Sequence, residues 1–326
     1  MNNTIYTLSA KELFSKNELS MGKLSSRYVR IKNLYCGICG GDYSSYIGRR
    51  NQYNISLGHE FISEIIEIGN EVTNFEISDL VVSDLNYRCG KCSYCKQNKS
   101  HLCNENNIQN FSNRAFAYYS DIESSYLVKA NSLKDNVIAA TCAEPLSCVL
   151  HAMNITLPGK TSDILLVGCG NIGMLMAFYL KMVLKIDNVY VTDIIENKMN
   201  NLIELFSCTP YDNKSKYDFV IEASNDIHGL KKAISSCSKG GKVCSMSHLY
   251  GMDTAFIYEP IVKNEININF PLRNGIKKNL DTALHYITEY WEYKYNSMFE
   301  IYPLQSINQA FQNKGISQFN KQIIQI

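Results

Sequence analysis

The chain has 326 residues, of which 45% are hydrophobic and 19% charged. A chain of this length is expected to fold as two domains with a sizeable core, and the composition excludes a disordered protein. Lys and Arg total 32 against 31 Asp and Glu, which excludes nucleic acid or another polyanion held by bulk charge. No apolar run reaches the ~18–20 residues of a bilayer span. The N-terminus (MNNTIYTLSAKELFSKNELS) has neither the apolar core nor the cleavage site of a signal peptide, so the expected location is cytoplasmic.

In chain order, roughly the first 150 residues read as short β-branched runs broken by Gly, Asn and Ser, the texture of a β-rich domain. Strands are expected at 28–31, 61–68, 80–83 and 115–119. At 143–154 the spacing of Leu146, Val149, Leu150 and Met153 becomes helical, and Pro158-Gly159 ends that helix. From Ile164 strands and helices alternate: strands at 164–167, 188–192, 219–222 and 242–245, helices at 174–184, 196–206 and 230–237. That alternation predicts a parallel, doubly wound α/β sheet. Helices at 280–290 and 306–313 and a strand at 322–326 break the rhythm and are expected to return to the first domain. The division expected is 1–147 with 276–326, and 148–275.

Twelve cysteines in a long chain without an export signal point to metal ligation rather than disulfides. Cys89, Cys92, Cys95 and Cys103 fall in YRCGKCSYCKQNKSHLC. Four thiolates on one short loop close a tetrahedron around zinc and leave no place for water, which makes a structural site. Gly90 helps the chain turn between the first two. Cys142, Cys148, Cys169, Cys208, Cys237 and Cys244 read as small core hydrophobes.

Gly168, Gly170 and Gly173 form G-x-G-x-x-G, with Asn171 and Ile172 between the last two. The motif follows a buried strand, opens a helix, and is followed at the end of the next strand by Asp193. This is the context of a dinucleotide site. The helix N-terminus takes the pyrophosphate, and Asp193 takes the adenosine ribose hydroxyls and disfavours a 2′-phosphate, so NAD is expected over NADP. Lys198 either flanks the adenine or lies on a solvated helix face.

Three further fragments are YCGICGGD with Cys39, SLGHEF with His59 and Glu60, and CAEPLS with Glu144. With the four-cysteine loop and the glycine motif, in this order and spacing, the chain resembles the zinc-containing medium-chain dehydrogenase/reductase family of alcohol and polyol dehydrogenases. The likeness runs over nearly the whole chain. It implies a GroES-like catalytic domain joined to a Rossmann domain. It also implies two zinc ions, and hydride transfer between NAD and a secondary alcohol, a polyol or sugar derivative. Where other members carry Cys, this chain has Glu144, as in the sorbitol and threonine dehydrogenase branch. The resemblance therefore implies Cys39, His59 and Glu60 as catalytic zinc ligands. Glu144 is implied as an exchanging or water-bridged partner, and Asp42 as the acceptor that orients His59. Cys36 is expected to be buried beside them. A homodimer or homotetramer is also implied.

One departure is Gly41, where relatives place a Ser or Thr that begins a proton relay. Ser44, Ser45 or Tyr46 takes over, or water and Glu144 do. Tyr46, Phe111 and Phe116 are candidates for the pocket wall. The stretch DYSSYIGRR also resembles the ribulose-5-phosphate reductase branch, in which Arg49, Arg50, Arg114 and Arg273 would contact a phosphate. An L-threonine 3-dehydrogenase-like activity is another alternative. A reading of a different class is a zinc-stabilised NAD-binding redox sensor without turnover.

Overall fold

The computed structural model describes residues 1–84, 88–105, 115–156, 163–251 and 258–326. Two compact units emerge: Met1–Ser147 with Asn274–Gly315 and Lys321–Ile326, and Cys148–Arg273 with Ile316–Asn320. The short piece Ile316–Asn320 therefore departs from the expected return of 276–326 to the first unit. Its physical reason is Asn320, whose amide donates to Cys169 O at 2.7 Å and Lys198 O at 3.0 Å and accepts from Asn201 at 2.7 Å.

The first unit is built on a seven-stranded sheet. Its strands run in the order Phe299–Pro303, Lys321–Gln325, Tyr28–Gly37, Glu60–Ile68, Leu80–Ser83 and Leu127–Lys129, with Tyr119–Glu123 paired to Tyr28–Gly37. A three-stranded sheet of Leu13–Ser20, Asn2–Ala10 and Ile55–Ser56 completes the β layer. No sequence pattern marks the N-terminal hairpin, whose two-residue turn is Lys11-Glu12 with Glu12 at φ +60°. The run expected as a strand at 115–119 enters regular pairing only at Tyr119, and Ala117 makes a single bridge to Ile5. An aromatic core of Phe14, Tyr46, Phe116 and Phe311 holds this unit, with ring centroids 4.7–6.1 Å apart.

The second unit carries a six-stranded parallel sheet. The order is Thr209–Pro210, Asn188–Thr192, Asp163–Val167, Tyr217–Glu222, Cys237–Ser245 and Asn267–Asn269. The chain winds outward in one direction from Asp163–Val167 and in the other from Tyr217–Glu222, so the switch point lies between these two strands. Ile164, Leu165 and Leu166 are fully enclosed, as a central parallel strand covered on both faces requires. The helix after the glycine motif, Asn171–Phe178, continues into a π-helical turn at Tyr179–Val183.

One helical stretch among the described residues is long and apolar enough to span a bilayer, although Glu144 interrupts it. It is Val137–Thr156, with mean hydropathy 1.2, and 78% of it is buried inside the protein. Its apolarity thus serves the core.

Candidate active site

Within the first unit, Cys39 and His59 are brought together by two antiparallel strands. Gly37 at the end of Tyr28–Gly37 lies opposite Glu60 at the start of Glu60–Ile68. Cys39 precedes the helix Gly40–Tyr46, and its Sγ accepts from the Gly41 N–H at 3.3 Å. One donor atom each from Cys39, His59 and Glu60 lies within 4.8 Å of the other two. A thiolate, an imidazole and a carboxylate at that spacing fit zinc and leave a fourth position. Asp42 is buried on the helix, its Oδ1 3.5 Å from His59 Nδ1. Burial opposes an imidazolium at His59, but Asp42 and Cys39 outweigh it and raise its pKa well above the ordinary value. Glu144, buried in the first turn of Ala143–Thr156, is not a member of the cluster.

One residue of this site had no signal in the sequence. Lys321 opens the strand Lys321–Gln325 and forms an ion pair with Glu60 Oε2, both side chains fully enclosed. A Cβ at Gly37 would collide with both partners, so the absent side chain makes room for the pair. A lysine near the C-terminus reads as a solvated charge until the sheet order places its strand beside Tyr28–Gly37.

The proton-relay candidates divide. The Ser44 and Ser45 hydroxyls donate to Gly40 O at 3.0 Å and Gly41 O at 3.3 Å, turned onto their own helix. Tyr46 and Phe116 are 2% and 0% exposed inside the aromatic core, so neither lines a pocket wall. Phe111 and Arg114 lie outside the described residues. Where a side chain at Gly41 would begin, Arg50 Nη1 and Cys39 Sγ each lie 3.7 Å away. Arg49 and Arg273 are half-buried, the latter in the left-handed region at φ +59°.

The four loop cysteines also converge. Cys89, Cys92, Cys95 and Cys103 place all four sulfurs within 4.8 Å of one another, a donor set that zinc fits. Gly90 takes φ +71° in the turn between the first two. Backbone N–H groups point at the sulfurs: Cys92 N at Cys89 Sγ, 3.4 Å, and Cys95 N at Cys92 Sγ, 3.5 Å. The Cys95 N–H foremost pulls the Cys92 thiol down to about 6, whereas burial pushes Cys95 up to about 12. Elsewhere Cys36, Cys142, Cys169, Cys208, Cys237 and Cys244 are buried, and Cys148 is half-buried. Burial pushes Cys142 and Cys208 up to about 12, and Cys237 and Cys244 to about 11, which keeps them inert.

In the second unit, the turn at 168–173 has the shape a dinucleotide requires. Gly168 takes φ +96°, and a Cβ there would meet Ser224 N at 2.6 Å. Gly173 packs against Gly168 O, while nothing lies within 4 Å of a Cβ at Gly170. That open place beside the helix N-terminus is where a pyrophosphate fits. Asn171 and Ile172 begin the helix. Asp193 accepts from Cys169 N at 2.6 Å and Ile195 N at 2.8 Å, which fixes its carboxylate beside the glycine turn. Lys198 is 9% exposed, against the solvated alternative.

The family model for the alcohol dehydrogenase GroES-like domain matches residues 25–132. A sorbitol dehydrogenase of Halalkalibacterium halodurans is 30% identical over 259 residues, covering 74% of this chain and 75% of that one. D-arabinitol dehydrogenase 1 of Uromyces fabae is 28% identical over 260 residues, 74% of each. A structure of a short chain alcohol dehydrogenase from Escherichia coli CFT073, complexed with NADH, superposes with TM-score 0.84 at 21% identity. That match covers 100% of this chain and 99% of the other, and shows the shared fold.

Proposed function

The chain belongs to the zinc-containing medium-chain dehydrogenase/reductase family, and from that premise we propose that it transfers hydride between NAD and a secondary alcohol, a polyol or sugar derivative. The observation that carries the proposal is the convergence of Cys39, His59 and Glu60 to within 4.8 Å. These three residues would hold the catalytic zinc, and Cys89, Cys92, Cys95 and Cys103 the structural one. Zinc held there would supply a Lewis acid for the substrate hydroxyl, and a bound nicotinamide would supply the hydride acceptor.

The chain's own groups do the rest. Asp42 Oδ1, 3.5 Å from His59 Nδ1, would accept from that nitrogen, which would leave Nε2 for the metal. Glu144 with water takes the hydroxyl proton, since Gly41 has no side chain and Ser44 and Ser45 donate to backbone. Residues 168–173 seat the pyrophosphate, and Asp193 takes the ribose hydroxyls. The protein is further proposed to act as a cytosolic homodimer or homotetramer.

The test is NADH formation by zinc-loaded protein with sorbitol, ribitol, ribitol 5-phosphate, L-threonine and 2,3-butanediol, with and without a chelator. Chelator-sensitive turnover of a polyol is expected. NAD binding without turnover, and one zinc per chain, would favour the redox sensor instead.

A phosphorylated polyol is the second reading, favoured by Arg50. Its guanidinium and Cys39 Sγ border the same vacant position at Gly41, and arginine pairs with phosphate in a two-pronged fashion. Preference for ribitol 5-phosphate over ribitol, lost in Arg50→Gln, is its signature.

A further inference from the structure

Glu222 ends the strand Tyr217–Glu222 and is wholly buried. Its Oε1 accepts from the Ser224 N–H, the Ser224 hydroxyl and the Ser247 hydroxyl, each at 2.7 Å. Its Oε2 accepts from the Ser245 hydroxyl at 2.6 Å. A carboxylate suits a place where every neighbour donates, because it accepts through both oxygens and offers no competing N–H.

The position of this hub matters more than its strength. Glu222 lies in register with Ser245 on one side and Val167 on the other. It therefore stands at the carboxyl edge of the sheet, on one strand of the switch-point pair. Val167 leads directly into Gly168, and Ser224 fills the space that any side chain at Gly168 would take. The Ser247 hydroxyl also accepts from the Asn225 N–H at 2.7 Å, where Asn225 turns through φ +55°. Ser224 Oγ in turn accepts from Asp226 N at 3.2 Å, and Asp226 caps the helix Ile227–Ser236 through the His228 N–H at 2.8 Å. One carboxylate thus ties the turns that leave two neighbouring strands to the turn that leaves a third.

We propose that Glu222 is a positioning residue for the dinucleotide. By holding Ser224, Ser245 and Ser247 it fixes the two turns that border residues 168–173, and so sets cofactor affinity without touching the reacting atoms. This rests on the NAD-binding reading above.

The test is the dissociation constant for NADH, followed by its fluorescence, in wild type, Glu222→Ala, Glu222→Gln and Ser247→Ala. Zinc content is measured in parallel. Glu222→Ala leaves three serines without their acceptor and is expected to weaken NADH binding by about tenfold or more. Ser247→Ala removes one bond to the carboxylate and the support of Asn225, and is expected to weaken it about fivefold. Glu222→Gln keeps an acceptor at the Oε1 position, while Ser245 can turn to accept from its amide, so affinity should return to within about threefold of wild type. Zinc content should be the same in all four. Where Glu222→Ala does not fold, Ser247→Ala decides alone. Affinity within about twofold of wild type in the folded variants overturns the proposal, even if their melting temperatures fall. A wild-type protein that does not bind NADH removes the cofactor reading itself, which is a different result.

Discussion

Lys321 and Glu60 form an ion pair from which solvent is excluded, with 0% and 1% of their side chains exposed. Burial works against the ammonium, but Glu60 outweighs it and the Lys321 pKa lies above its ordinary value. Removing one partner strands the other charge. Lys321→Met is expected to cost about 3–5 kcal/mol in denaturant unfolding. The double variant with Glu60→Gln should recover much of that loss, since no charge is left unpaired. Recovery of stability without recovery of the catalytic zinc would separate the two roles of Glu60.

The two sulfur-containing clusters should empty independently. Cys95→Ser removes one of four sulfurs that lie within 4.8 Å of each other, and leaves Cys39, His59 and Glu60 untouched. The expected outcome is one zinc per chain instead of two, by atomic absorption, with a lowered melting temperature. Cys39→Ser should also leave one zinc, but abolish turnover with little change in melting temperature.

If Glu144 and water carry the substrate proton, Glu144→Gln should lower kcat by about 10²-fold, as loss of a proton-transfer group does. NADH affinity should hold. A variant that keeps more than about a tenth of wild-type kcat would return the search to another acceptor.

Asp193 is pinned by two backbone N–H groups at 2.6 and 2.8 Å beside the glycine turn, and on the proposed reading its charge would meet the ribose hydroxyls. Asp193→Asn keeps an acceptor and removes the charge. The ratio of kcat/KM for NAD over NADP should fall by about tenfold or more.

Asp79 gives a pH-dependent contribution. Burial opposes its charge, but Lys129 at 2.8 Å, Asn131 at 2.7 Å and the Glu76 N–H at 2.8 Å outweigh it, holding its pKa below the usual 3.8. A depressed carboxyl stabilises the fold above pH 3.8 and loses that contribution as pH falls through the lower folded value. Asp79→Asn should therefore cost about 1–3 kcal/mol at pH 7, with the gap to wild type closing in acid. A gap that stays constant down to pH 3 would argue against this account.

Much of the site was legible because its chemistry is written in short motifs. Gly168 and Gly173 are forced by backbone proximity, and four cysteines within fifteen residues have few other uses. The pairing of Cys39 with His59 needed only the family likeness. Lys321 and Glu222 were not legible, and for one reason: each acquires its partners through sheet register, and no local pattern encodes that. The N-terminal hairpin was missed for a different reason. Its turn, Lys11-Glu12, lacks the Gly or Asn that usually marks such a connection. Tyr46 and Phe116 erred the other way, since an aromatic near a reactive motif looks the same in sequence whether it faces a ligand or three other rings.

The strand Lys321–Gln325 lies in its sheet between Phe299–Pro303 and Tyr28–Gly37. Tyr119–Glu123 covers residues 28–32 of the same edge, so only the Tyr35–Gly37 end must wait for the late strand during synthesis. The parallel sheet of the second unit draws its strands from a continuous stretch, Asp163–Val167 to Asn267–Asn269, and can close earlier. The last piece of the first unit's sheet is thus supplied after the sheet of the second unit is complete in sequence. The ammonium that neutralises Glu60 arrives last, so metal loading at Cys39, His59 and Glu60 is expected to be a post-translational event.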